Sequence, residues 1–312
     1  MAADLEWHIV VNPVAGSISF KKEVSQLLET MGNTLCIPSC NIWETAYKGH
    51  GIALTEKIIF LGGKKIISIG GDGTNHEVVN GILRQSIIPS NEITHAHFPA
   101  GSGNDWVKTM NIPTNIEDWL AMLKKEKTNL HNAGEITYHE NNQLKTRYFV
   151  NVAGLAYDAF VVKYLEEEKI VKKSGGIYLM LIIKCLFKYK KQKALVVIDG
   201  HEYTDKFYTI NIGVCKYSGG GMSLVPQANP FGDGLAVTLA GNISKLGVIL
   251  NTWRFYNESI LKHKKIRGFL GKRIKVESLN NNQIGIEADG EYLGQSPVSI
   301  SFLPKVLRVV VP

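Results

Sequence analysis

Cysteine is scarce: the 312 residues hold four, Cys36, Cys40, Cys185 and Cys215. Only Cys36 and Cys40 lie close together, and no second pair answers them, so a zinc site and a disulfide framework are both excluded. Reduced, mostly buried thiols in a cytosolic protein are the expectation. Long hydrophobic runs are also missing. The longest, Ile177 to Ile183, is broken by Lys184, far short of the ~20 residues that span a bilayer. The opening Met1–Trp7 lacks the basic flank and apolar core of a signal peptide, so no export signal is expected there. There is no low-complexity tract and no repeat of solenoid period. The net charge of +7 suits an anionic partner. No aromatic–basic binding motif accompanies it, so nucleic acid is not the partner expected.

Glycine, by contrast, is plentiful, with 30 residues. Three glycine-rich stretches fall in the first third: Asn12-Pro13-Val14-Ala15-Gly16, Gly70-Gly71-Asp72-Gly73-Thr74, and Pro99-Ala100-Gly101-Ser102-Gly103-Asn104-Asp105. The apolar run Lys65–Ile69 before the second reads as a buried strand, and Asn75–Leu83 after it as a helix. Unpaired N–H groups and the positive end of a helix dipole at such a junction favour phosphate. Glycine lets the backbone approach an oxyanion closely. Asp72 beside phosphates calls for a cation between them or a proton-transfer role.

The length suits two domains, read as 1–130 and 131–312. In the first, strands are expected at Trp7–Val11, Leu35–Ile37, Lys65–Ile69 and His95–Pro99. Helices are expected at Phe20–Met31, closed by Gly32, at Gly51–Leu61, at Asn75–Leu83, and from a Thr114–Glu117 capping box to Lys125. This alternation predicts an α/β fold: an N-terminal parallel-sheet nucleotide-binding domain. Beyond residue 130 the pattern changes to a C-terminal, mostly antiparallel β domain. Its strands are expected at Tyr148–Val152, Ala194–Asp199, Phe207–Val214, Leu235–Leu239, Arg273–Glu277, Ile284–Ala288, Val298–Phe302 and Val306–Val311. Helices are expected at Tyr157–Glu168, Gly176–Lys188 and Ile243–Phe255. Whether the last strand returns to the first domain is left open.

Taken together, the three stretches resemble the ATP site of the soluble bacterial diacylglycerol kinase family, which is similar in turn to the sphingosine and ceramide kinase core. The resemblance covers nearly the whole chain. Asn151–Ala159 resembles the opening of that family's second domain, Phe231-Gly232-Asp233-Gly234-Leu235 a cation-holding turn, and Asp289-Gly290-Glu291 the segment that carries the general base. The chain departs from the family pattern at Asn75-His76 and, near an expected aspartate, at Asn132.

The resemblance implies transfer of the γ-phosphate of ATP to a lipid hydroxyl, with diacylglycerol as first substrate. The implied cofactors are ATP and Mg²⁺. Glu291 and Asp72 would be catalytic. The nucleotide would be held by Asn12, Pro13, Gly16, Thr45, Gly70, Gly71, Asp72, Gly73, Thr74, Glu77, Gly101, Ser102, Asn104 and Asp105. A structural cation would sit on Asp233 and the carbonyls of Pro230 and Leu235. The turn chemistry of Asp289-Gly290 and Asp233-Gly234 accounts equally for exposed acidic residues, and Asp105 equally for a helix cap. The expected partners are ATP, a membrane lipid and, transiently, an anionic membrane surface met by Gly176–Phe187 and the lysines after it; a homodimer is left open. A cytoplasmic protein peripheral to the membrane is implied. The alternatives are a kinase of another lipid or a soluble alcohol, and a nucleotide-binding regulator without turnover.

Overall fold

The computed structural model describes residues 6–15, 18–141, 143–168, 175–279 and 283–312. The chain divides into two units: Met1–Asn132 with Lys305–Pro312, and Ala133–Pro304.

In the first unit, short apolar runs alternate with amphipathic segments. The runs form strands β1 (Trp7–Val11), β2 (Ile42–Glu44), β3 (Lys65–Gly70) and β4 (Thr94–Pro99). The intervening segments form helices α1 (Ile18–Leu35), α2 (His50–Phe60), α3 (Asp72–Arg84), α4 (Asp105–Met110) and α5 (Ile116–Lys124). All pairings are parallel, in the order β2-β1-β3-β4. Residues Arg308 and Val309 add a further parallel rung against Thr94 and His95, so the chain end closes the sheet of the first unit. The order reverses between β1 and β3, and ligands of such sheets bind at that crevice, beyond the strands' carboxyl ends.

The second unit contains β5 (Thr128–Glu140, whose first residues belong to the first unit), β6 (Gln143–Phe149), β7 (Val152–Ala156), α6 (Tyr157–Glu167), α7 (Gly175–Lys188), β8 (Gln192–Ile198), β9 (His201–Phe207) and β10 (Thr209–Gly213). They are followed by β11 (Tyr217–Ser218), β12 (Met222–Ser223), β13 (Leu235–Ala240), α8 (Lys245–Asn251), α9 (Trp253–Tyr256), β14 (Ile266–Gly271), β15 (Arg273–Ser278), β16 (Gly285–Ala288) and β17 (Glu291–Val310). One antiparallel run is β14-β13-β10-β7-β16-β17. Another, β9-β8-β15, joins β17 farther along. Within the first run β7, β10 and β13 are buried throughout, whereas β17, the strand that the two runs share, mixes buried with exposed positions.

Several local expectations are corrected. Gly32 does not end the first helix. The helix runs on to Leu35, and Cys36 takes the left-handed position (φ 55°). Ile37 N–H then bonds back to the Gly32 carbonyl at 2.9 Å, a Schellman closure. The strand expected at Leu35–Ile37 is therefore displaced to Ile42–Glu44. The helix at 116 is capped by Asn115, whose side chain accepts from Asp118 N–H at 2.9 Å, and not by Thr114. Two expected strands, Val298–Phe302 and Val306–Val311, are parts of one. Cys36 and Cys40 are exposed, and only Cys185 and Cys215 are buried. Among the described residues, no helix is long and apolar enough to cross a membrane.

Candidate active site

The first unit gathers its glycine stretches at the carboxyl ends of three adjacent strands. After β1 the chain turns on Asn12, whose N–H donates to the Ile69 carbonyl at 3.0 Å. Its side-chain oxygen accepts from Val14 N–H at 3.1 Å, so Asn12 and Pro13 form a built turn; Gly16 lies outside the described residues. Thr45 follows β2 and donates its N–H to the Val11 carbonyl at 2.9 Å, which sets it beside that turn.

After β3 and β4 the two remaining loops pack backbone on backbone. Ala100 N–H donates to the Gly70 carbonyl at 2.7 Å. A Cβ on Gly101 would lie 2.5 Å from the Cα of Gly71. No side chain fits there, which is why both positions are glycine. Gly71 precedes α3 in an extended conformation, and Gly71, Asp72 and Gly73 remain half-exposed while Thr74 to Ile82 are buried. The open backbone thus sits at the positive end of a 13-residue helix. Asn104, left-handed at φ 52°, closes the third loop: it accepts from Gly101 N–H at 3.1 Å and donates to the Gly101 carbonyl at 2.9 Å. Ser102 is exposed on that loop.

Two carboxylates flank this backbone. A Cβ on Gly103 would lie 2.9 Å from Asp72 Oδ2 and 3.6 Å from Asp105 Oδ2. Asp72 Oδ1 also accepts from Trp106 N–H at 3.3 Å, which ties the second loop to the third. Mg²⁺ takes one or two carboxylates, water and phosphate oxygens, so the pair fits such an ion.

Glu77 is placed differently. Its carboxylate accepts from Gly49 N–H at 2.6 Å and Gly51 N–H at 2.8 Å, and so satisfies the N-terminus of α2. His76 is buried and shares a contact of 3.3 Å with Asn80. The buried Asn132 accepts from Lys305 N–H at 2.9 Å, which fixes the left-handed Lys305 where the chain re-enters the first unit. Beneath β3 and β4, Ser68 Oγ lies 3.0 Å from His95 Nε2 and 2.8 Å from His97 Nδ1. Burial lowers both histidines to about 3, and the neighbouring His97 and His131 lower His95 further.

In the second unit, Asp289 (φ 50°) and Gly290 (φ 86°) make the two-residue turn between β16 and β17, with both residues left-handed as a type I′ hairpin requires. The Asp289 carboxylate accepts from the N–H groups of Val150, Asn151 and Val152 at 3.2, 3.0 and 3.1 Å. The turn is thereby locked, and Glu291 stands half-buried directly after it. Asp233 lies on an exposed turn between the buried Pro230 and Leu235. It brings one carboxylate, a sparse donor set for Mg²⁺. Among the described residues no group of three or more acidic, histidine or cysteine side chains gathers as a metal cluster.

The second unit also holds a narrow, open-mouthed cavity of about 70 Å³ between α6, α7, α8 and α9. Asp158 and Glu287 line it. Sequence reasoning touched Asp158 only within the Asn151–Ala159 stretch and missed Glu287. The available signal was an acidic residue inside the apolar alternation of Ile284–Ala288.

Comparison with known proteins agrees with this layout. Residues 6–136 match the diacylglycerol kinase catalytic domain, and residues 151–311 match the YegS C-terminal NAD kinase beta sandwich-like domain. A diacylglycerol kinase of Staphylococcus aureus (strain bovine RF122 / ET3-1) is 26% identical, over 97% of this chain and 91% of its own. The YtlR protein of Bacillus subtilis (strain 168) is 24% identical, over 97% and 98%. A diacylglycerol kinase crystal structure from Bacillus anthracis str. Sterne shares the fold, with a TM-score of 0.71 at 19% identity over 98% of this chain and 97% of that one. With both domain matches in order and together spanning nearly its whole length, the chain belongs to the lipid-kinase family that joins a diacylglycerol kinase catalytic domain to a YegS-type β-sandwich domain.

Proposed function

We propose that this lipid kinase transfers the γ-phosphate of ATP to a lipid hydroxyl, with diacylglycerol as first acceptor and phosphatidic acid as product. One observation carries the reading: the Gly71–Gly101 backbone contact, with Asp72 at the head of α3. Open N–H groups there suit phosphate oxygens, and the transition state of phosphoryl transfer needs charge neutralisation and alignment more than covalent help. Gly70, Gly71, Gly73, Thr74 and Gly101 offer backbone. Asn12, Pro13, Thr45, Ser102 and Asn104 shape the nucleotide's surroundings. Glu77 contributes by holding the start of α2. Asp72 and Asp105 are the carboxylates that would hold Mg²⁺, which when bound neutralises phosphoryl charge. Glu291 takes the acceptor hydroxyl's proton. Asp233, with the Pro230 and Leu235 carbonyls, is read as a separate structural cation site.

An anionic membrane is the surface we assign to the outer faces of α7, α8 and α9. Met180, Phe187, Leu246, Leu250 and Trp253 are all more than half exposed there. The cations Lys184, Lys188, Lys245 and Arg254 lie among them. Apolar side chains interleaved with cations suit a headgroup boundary.

The deciding experiment is transfer of labelled phosphate from ATP with Mg²⁺ into diacylglycerol, sphingosine, ceramide and phosphatidylglycerol in mixed micelles. A labelled lipid is expected, and Glu291→Gln should abolish the label while ATP binding persists. ATP binding with no labelled lipid from the native chain would reject the lipid acceptor in favour of a soluble alcohol or of a nucleotide-binding regulator.

A further inference from the structure

Asp72 is held by a backbone group whose own direction is set elsewhere. Its Oδ1 accepts from the Trp106 N–H at 3.3 Å. Its Oδ2 turns toward Gly103, where a Cβ would meet both that oxygen and Asp105 Oδ2. The Trp106 bond therefore decides which Asp72 oxygen faces Asp105. The donating N–H belongs to α4, which has six residues. Helices below ~12–15 residues are marginal on their own, so the N–H groups of α4 point where its side chains are anchored.

The anchor is the Trp106 indole, 1% exposed. Its Nε1–H donates to His131 Nε2 at 3.3 Å. Indole is a donor only, so His131 Nε2 is a bare acceptor and the ring's proton sits on Nδ1. That nitrogen faces the Asn132 carbonyl, which can only accept. One neutral tautomer satisfies both contacts; the other tautomer, or a histidinium, would set N–H against N–H. Two more histidines complete the floor. The ring centroids of His95, His97 and His131 lie 6.2, 6.0 and 5.8 Å from that of Trp106. His95 and His97 project from one face of β4, Ser68 Oγ bridges them, and burial keeps both neutral. Their remaining nitrogens, His95 Nδ1 and His97 Nε2, have no hydrogen-bond partner among the described residues. An apolar floor would avoid that cost. Dispersion fills volume without direction, whereas a hydrogen bond fixes how an indole is turned.

We infer that Trp106 is a positioning residue for the phosphoryl-transfer site: with its indole fixed by His131, it aims its backbone N–H at Asp72 Oδ1 and so turns Asp72 Oδ2, together with Asp105, toward the cation. The inference rests on the lipid-kinase reading and adds to it what orients the metal-holding carboxylate. Trp106 acts through Asp72, and the phosphoryl step does not pass through it.

The test is Mn²⁺ binding in the presence of ADP, read by electron paramagnetic resonance, on the full chain and on Trp106→Phe, His131→Leu and His131→Gln. Phenylalanine keeps a ring and loses the N–H. Leucine removes the acceptor, and glutamine restores one through its amide oxygen. Mn²⁺ affinity should fall about tenfold in Trp106→Phe and in His131→Leu, and return in His131→Gln. The double variant Trp106→Phe/His131→Leu should lose no more than either single one. ADP binding without metal should stay as in the native chain. In turnover, the Mg²⁺ concentration giving half-maximal rate should rise by the same factor, with acceptor KM fixed. Unchanged Mn²⁺ affinity in Trp106→Phe, additive losses in the double variant, or losses that follow the melting temperature across the series would overturn the inference. Metal binding that depends on Trp106, without phosphate transfer to any lipid, would sink the kinase reading and leave the positioning role standing. Transfer with metal binding indifferent to Trp106 would do the reverse.

Discussion

The two units build their sites from different parts of the chain. In the first, the candidate site is backbone: Gly71 meets Gly101 with no room for a Cβ, and the carboxylates of Asp72 and Glu77 are fastened to neighbouring N–H groups. In the second, side chains set the surroundings: an apolar wall, the half-buried Asp158 and buried Glu287 carboxyl groups, and a glutamate set after a locked turn. Phosphate is common to every nucleotide, so a rigid backbone cradle serves it without adjustment. Lipid acceptors differ in their polar ends, and side chains are what substitution can tune. The first site should therefore break under the smallest additions of volume.

The largest effect expected is at Asp72. Asp72→Asn keeps an oxygen for Trp106 N–H and removes the charge. It should lower kcat about 100-fold or more while lipid-probe binding is unchanged; equal losses in both would mean that the residue only supports the fold. Next is Gly101→Ala. Its Cβ would fall 2.5 Å from backbone that cannot swing aside, so the two loops must part. ATP KM should rise about tenfold or more, with the acceptor KM fixed. The same change at Gly62, left-handed at φ 94° with open space around it, would strain the chain and leave ATP KM alone.

The smallest effect is one of pH. His95 and His97 are lowered from 6.5 to about 3 in the folded chain, so the unfolded chain binds more protons between those values. The stability they confer is full above pH 6.5 and is lost as pH falls toward 3. The melting temperature should drop through this window. His95→Asn should flatten the fall by about 1.4 kcal/mol per pH unit, one proton's worth. An unchanged slope would show that the pair is not what acid attacks.

Legibility in the sequence follows the same division. The parallel half could be read because a backbone site forces glycine at fixed places, and the runs before the first two glycine stretches are rich in β-branched apolar residues. Asn12, Asp72, Asn104 and Asp105 stood out as polar residues among them. The cavity was not legible, because Val161, Ile182 and Val248 have the spacing of any core-facing helix. Whether such residues meet a neighbour or line a space depends on tertiary packing. Glu287 was hidden for a related reason, since a glutamate on an alternating strand reads as solvent-facing until a helix covers it. Thr128–Glu140 was missed because Asn129, His131 and Asn132 dilute its β character, and its pairing is set far along the chain. The break expected at Leu303-Pro304-Lys305 is real in the backbone, with Lys305 left-handed at φ 54°, but the strand continues through it.

The return of residues 308 and 309 to Thr94 and His95 has a consequence for how the protein is made. While a ribosome is still adding the second unit, β4 has its β3 neighbour and nothing on the other side. Its open edge, with the buried histidines just behind it, must wait for more than two hundred further residues. The nucleotide unit can assemble its glycine loops early, but its sheet closes only after the last rung emerges. Nascent chains stalled short of residue 308 should thus be the species that pair edge to edge, and translation past that point should end the hazard.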